Sequence, residues 1–164
     1  MTGMNAQDLV RRLKLIPHPE GGYYRETYRA AQTVRRDDGA SRRAATAIYY
    51  LLCDGAYSAW HRIQSDETWH FYTGTELRVH ELQAHGGLRT HRLGASLTDT
   101  EFQVTVAAGN WFAAELADPG GFALVGCTVA PGFEFSEFEL ADTAALLRAY
   151  SSHEALIRRL GAKT

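Results

Sequence analysis

The 164 residues are enough for one domain around one core, and 45% hydrophobic with 22% charged residues is the balance of a soluble globular chain. A formal net charge of −2 gives no electrostatic handle for DNA, RNA or an anionic membrane. The opening "MTGMNAQDLVRRL" lacks an apolar signal core and no apolar run of about 18 residues follows, so a cytoplasmic chain is expected, with Cys53 and Cys127 as buried free thiols.

In chain order, the first element reads as a helix. Asn5 can cap it, Asp8 stands at its third position, and Leu9, Val10, Leu13 and Ile16 recur with helical spacing until Pro17 and Pro19 stop it. The stretch "PHPEGG" then reads as a rigid, sharply shaped turn, because two prolines restrict the backbone while Gly21 and Gly22 permit positive φ. Alternation along the next strand puts Tyr23, Arg25, Thr27 and Arg29 on one face and Tyr24, Glu26 and Tyr28 on the other. Neither face is plain core. One reading lets a face border a polar pocket, with Arg25 or Arg29 offering a fork to a ligand carboxylate or phosphate; the other is an Arg–Glu ladder to a neighbouring strand.

From Tyr23 to about Phe138, short β-branched and aromatic runs alternate with glycine turns, the pattern of an all-β sandwich or barrel. The end turns helical again. Asp142 can cap "TAALLRAY", and Ser151 with Glu154 has capping-box spacing before "ALIRRL". The expectation is a single all-β domain over residues 1–164, closed as a barrel or jelly roll between short helices.

The chemistry-bearing segment is "GAYSAWHRIQSDETWHFYTG", Gly55 to Gly74. His61 and Ile63 share a strand face, and Glu67 heads the next strand after a tight polar link, so imidazole and carboxylate can converge inside a barrel. The spacing of Gly55, His61, Glu67 and Gly74 resembles the first motif of the cupin superfamily. "VTVAAGNWFAAEL" is similar to its second motif, with Ala107 at the usual proline, Gly109 at the glycine and Phe112 at the usual histidine. Together with "HPEGGYYRETYR", these strings resemble the cupin-5 family over about Leu13 to Glu139. The resemblance implies a double-stranded β-helix, a small-molecule pocket and a homodimer.

The resemblance also implies a metal held by two histidines and a glutamate from the first motif and a histidine from the second. Here those positions are His61, Ile63, Glu67 and Phe112, and two ligands are too few for a tight first-row metal site. His70 completes a divalent-metal set with His61 and Glu67 only if a bulge overturns strand parity. No cofactor is therefore expected. Catalysis is assigned to His61 and Glu67, the carboxylate fixing the imidazole tautomer so that the free nitrogen takes a proton. Tyr24, Arg25, Glu26, Trp69, His70 and Phe112 are the expected ligand contacts. His80, His85, His91 and His153 read as surface residues. The leading reading is a metal-independent isomerase or epimerase-like enzyme. Its alternatives are a non-catalytic metabolite sensor or carrier, and a metal-dependent oxygenase or isomerase.

Overall fold

The computed structural model describes residues 3–163. Helix α1 (Ala6–Leu13) begins with a reciprocal capping box: the Asp8 N–H donates to Asn5 Oδ1 at 2.9 Å, and the Asn5 N–H to Asp8 Oδ2 at 3.2 Å. It stops earlier than the hydrophobic spacing predicts. Lys14 adopts a left-handed conformation, φ 55°, and turns the chain so that Leu15 packs inward. Ile16 is consequently no helical residue; Ile16–Pro17 form a short strand β1 that pairs with Tyr23 and Tyr24.

The strands that follow are β2 (Tyr23–Arg29), β3 (Thr33–Arg35), β4 (Ser41–Arg43), β5 (Thr46–Cys53), β6 (Ser58–Arg62), β7 (Asp66–Gly74), β8 (Leu77–Leu82), β9 (Leu88–Leu93), β10 (Gln103–Val106), β11 (Trp111–Leu116), β12 (Phe122–Ala130) and β13 (Glu139–Leu140). A six-stranded antiparallel sheet runs β1-β2-β5-β12-β7-β10 and faces a five-stranded one, β13-β6-β11-β8-β9, while β3 and β4 form a separate hairpin. The result is an all-β jelly roll with short helices at both ends. Period-two patterning builds its interior: Tyr50, Trp69, Val79, Phe112 and Val125 meet between the sheets.

Both sheets also bury part of their outer faces. Leu9 and Leu15 cover Leu51, Cys53 and Leu124 on the six-stranded sheet. On the other, α2 (Thr143–Ala149) and α3 (Glu154–Arg159) lay Leu146 and Ile157, with Leu160, over Trp60, Leu82 and Ala113. Two surface readings are corrected, His80 on this covered outer face and His91 on the inner face, in register with the core residue Val79. His80 is buried against Thr90 and Glu115, and His91 is buried against Glu81, whose other oxygen accepts from the Ala107 N–H and from Asn110. Asp142 caps α2 as expected, but Ser151 opens a 3-10 turn, and α3 starts without a side-chain cap. Among the described residues no helix is long and apolar enough to cross a membrane.

Candidate functional site

The turn between α1 and β2 does more than reverse the chain. Gly21 and Gly22 have φ of 111° and 76°, and a Cβ on Gly21 would stand 2.1 Å from the Tyr57 carbonyl oxygen. Only glycine fits so close a backbone approach at this φ. The turn is tied on every side: His18 N–H to Gly22 O at 2.9 Å, Gly21 N–H to His18 O at 3.0 Å, Ala59 N–H to Glu20 O at 3.0 Å, and the Tyr50 hydroxyl to Gly21 O at 2.5 Å. So held, it lowers the side chains of His18 and Glu20 into the open end of the jelly roll.

There Glu20 meets His61, with Oε2 2.9 Å from Nε2. The other ring nitrogen, Nδ1, lies 2.7 Å from the Ala59 carbonyl oxygen, which only accepts, so Nδ1 carries a proton. With a carboxylate at the second nitrogen, the ring is an imidazolium. Burial opposes that charge, but Glu20 first, then Glu67 and the Ala59 carbonyl, outweigh it and raise the His61 pKa above its ordinary 6.5. Burial likewise opposes the Glu20 charge, yet His61 holds its pKa below the ordinary 4.5. The contact is a close charge pair, since Oε2 accepts no well-aimed hydrogen bond.

Glu67 heads β7 on the inward face and borders the same cavity. Burial pushes its pKa up to about 7, the nearby His61 charge notwithstanding, and the Glu20 charge adds to the rise. No His61–Glu67 ion pair forms. The carboxylate at the imidazole is Glu20, which the sequence reading passed over with His18 as part of a stiff turn. The one signal that could have found them is the placement of an acid and an imidazole inside a backbone-locked "PHPEGG", where a solvated turn has no need of them.

The cavity, about 280 Å³, opens between this cluster and three phenylalanines, Phe133, Phe135 and Phe138. Strand β2 forms one wall and contains the irregularity that decides which side chains face in. Tyr24 pairs Tyr50 and Glu26 pairs Ile48, but Tyr28 pairs Ala47, so Thr27 bulges and Arg29 moves opposite Thr46. Tyr24, Glu26 and Arg29 therefore share the cavity face, which corrects the simple alternation. Arg29 bonds Glu26, Glu134 and the Phe133 carbonyl, and the Arg25 Nε–H donates to Leu13 O at 2.6 Å. Arg29 is thereby committed to protein partners, whereas the two terminal nitrogens of Arg25 make no hydrogen bond among the described residues. The phenylalanine segment is held in turn by Glu137, which pairs with Arg36 at 2.8 Å and closely with Arg42 from the β3–β4 hairpin.

Of the expected contacts, Tyr24, Arg25 and Glu26 border the cavity. Three others do not. Trp69 packs between Tyr50 and Phe112, ring centroids 5.8 and 6.4 Å away, as core behind the wall. Phe112 supports the His61 ring from behind at 4.0 Å. His70 sits on the outer face of β7, its Nε2 3.1 Å from Thr128 Oγ1. A bulge does occur in β7, but at the Leu124/Val125 step opposite Phe71 and Thr73, after His70, so parity up to His70 is unchanged.

A metal of the kind the fold commonly carries does not fit this donor set. Ile63 and Phe112 occupy two ligand positions, His70 faces away, and both nitrogens of His61 are engaged. Among the described residues no three His, Cys, Asp or Glu side chains are grouped to hold an ion.

The chain is similar to several known proteins. A hypothetical protein from Leishmania major superposes with a TM-score of 0.90 at 36% identity, over 97% of this chain and 99% of that one. Protein SO0799 from Shewanella oneidensis gives 0.90 at 36% identity, over 99% and 100%. Uncharacterized protein YML079W of Saccharomyces cerevisiae is 28% identical over 147 residues, 80% of this chain and 72% of that protein. Residues 7–141 match the family model described as Cupin superfamily (DUF985), Cupin_5. This chain, a small-molecule-binding cupin in its fold, belongs to the Cupin_5 family.

Proposed function

We propose that the protein binds a small, mostly uncharged metabolite in the jelly-roll cavity and catalyses proton transfer on it, an isomerisation or epimerisation that uses no resident metal. The observation that carries this reading is one cavity bordered by a carboxyl titrating near neutrality, Glu67, and by the His61–Glu20 charge pair, within largely aromatic and aliphatic walls. Glu67 exchanges the proton with the substrate. His61, kept as imidazolium by Glu20, supplies positive charge for the anion that develops. This division of labour replaces the reading of His61 as base, because neither of its nitrogens is free to take a proton.

The test is solvent deuterium incorporation into metabolites of a cell extract incubated with the protein in D2O and read by mass spectrometry. Wild type should label a small set of compounds; Glu67→Gln should abolish labelling, and His61→Asn should slow it about a hundredfold. Labelling that survives in Glu67→Gln would refute the assigned base. The engaged nitrogens of His61 also favour a second reading, a non-catalytic metabolite sensor or carrier. It predicts retained compounds with no deuterium.

We further propose a homodimer as the working unit. Beyond Tyr24 the outer edge of β2 has no strand partner among the described residues, and the exposed Ile16 and Tyr28 lie along it. Light scattering that returns a single-chain mass at micromolar concentration would exclude it.

A further inference from the structure

His18 is the second imidazole at this cavity, and its environment differs from that of His61 in a way that fixes its chemistry. Its Nδ1 lies 3.1 Å from the Glu20 backbone nitrogen, whose N–H can only donate. Nδ1 is therefore the acceptor, and the ring, when neutral, carries its proton on Nε2. The Glu20 carboxylate gives Nδ1 no ion pair of bonding length, since Oε1 stands 3.6 Å away. Burial lowers the His18 pKa, outweighing the pull of Glu20, and the His61 charge lowers it further. The ring is a neutral N–H donor with a locked tautomer.

That donor has no protein acceptor. Among the described residues Nε2 of His18 makes no hydrogen bond, although the side chain is only 6% exposed. The ring stands in the aromatic cage of the cavity, 4.6 Å from the Tyr24 centroid and 6.2 and 6.1 Å from those of Phe135 and Phe138. The ring lines the cavity and its Nε2 is not sealed off by protein, so this N–H is offered to whatever occupies the cavity, water or ligand. His61 cannot serve in this way, because both its nitrogens are already engaged.

We propose that His18 is a substrate-contacting residue whose Nε2–H binds a carbonyl oxygen, so that the cavity takes small neutral carbonyl compounds with an acidic C–H beside the carbonyl. The proposal rests on the proton-transfer reading and names its substrate class. The step balances without an oxidant. Glu67 takes the proton from the carbon next to the carbonyl, and the C–H electron pair becomes a C–C π bond. The carbonyl oxygen then carries the negative charge against the His18 N–H. Return of a proton to the same carbon from its other face completes an epimerisation, and its return from the solvent-exchanged Glu67 carboxyl completes α-proton exchange. The space suits such a compound: about 280 Å³ is the room of roughly nine waters.

Two substitutions separate the turn role of the ring from its ligand role. His18→Asn keeps an acceptor near the Nδ1 position for the Glu20 N–H and deletes the Nε2 donor. His18→Gln keeps a donor near Nε2 and gives up the turn acceptor. The probes are benzyl methyl ketone and acetylacetone, with α-proton exchange in D2O followed by proton NMR and binding followed by two-bond proton–nitrogen spectra of histidine-labelled protein. We expect His18 in the neutral Nε2–H form, a saturable shift of its Nε2 on adding benzyl methyl ketone, and exchange about a hundredfold slower in folded His18→Asn, with partial recovery in His18→Gln. A His18 ring protonated on Nδ1, or wild-type exchange that His18→Asn leaves unchanged, overturns the His18 assignment while the Glu67 chemistry stands. No exchange with either probe and no shift at His18, His61 or Tyr24 overturns the carbonyl class; whether proton transfer itself stands is then read from the Glu67→Gln labelling comparison.

Discussion

A buried carboxyl that titrates near pH 7, Glu67, makes the stability of this protein depend on pH. The folded-state pKa of Glu67 lies above its ordinary 4.5, so its proton favours folding: that contribution is complete below the ordinary value and is lost as pH rises through about 7. The difference corresponds to about 3 kcal/mol at alkaline pH. Glu67→Gln, permanently neutral, should therefore melt at a higher temperature than wild type near pH 8, with the gap closing toward pH 4.5; an equal gap at both ends would contradict the raised pKa. Glu20 works in the opposite sense, and its partner His61 in the same sense as Glu67. The depressed Glu20 pKa stabilises above 4.5 and the elevated His61 pKa stabilises below 6.5, so their pair is worth most between those values. Glu20→Ala strands a buried imidazolium and should cost about 3 to 5 kcal/mol in urea unfolding near pH 6, much of it regained in Glu20→Gln/His61→Asn. At this scale the sequence revealed His61 and Glu67 through spacing alone. It hid Glu20 and His18, because their importance comes from a turn folding back onto a strand some 40 residues later.

The element that builds the site is the glycine turn, and it has no slack. Gly21→Ala brings a Cβ against the Tyr57 carbonyl at a φ that L residues avoid, and should cost at least about 2 kcal/mol while pulling Glu20 away from His61. Loss of the shifted His61 ring signals in NMR, with the rest of the spectrum retained, would show that the turn places the carboxylate; an intact His61 environment would show that it does not. The β2 strand shows why alternation read from sequence has limits. Up to Glu26 the predicted faces are those of the structure, and beyond it the Thr27 bulge brings Arg29 round to the cavity side, a change no residue type announces. The α1 helix shows the converse: its Asn5–Asp8 box was legible because capping is local, whereas its end at Leu13 is set by Leu15 packing against the sheet.

At the scale of the molecule, the two cysteines report on how the parts are joined. Cys53 lies under α1 on the outer face of the six-stranded sheet, while Cys127 lies between the sheets beside Glu67. Helix α1 buries one residue of its own span, Leu9, so it can undock without disturbing the sandwich. Cys53 should react with a bulky thiol reagent at a rate set by this local opening, and Cys127 only with global unfolding; equal rates in Cys53→Ser and Cys127→Ser would mean that helix and sandwich open as one. The sequence by itself determined the all-β class, the helical ends, the free thiols and the Cupin_5 likeness, because these follow from local periodicity, capping and motif spacing. Only the tertiary structure decided which carboxylate meets His61, which histidines are buried and which face of β2 lines the cavity. Each of these depends on contacts between segments distant in sequence, on bulges that reset strand parity, and on helices that cover a sheet face otherwise open to water.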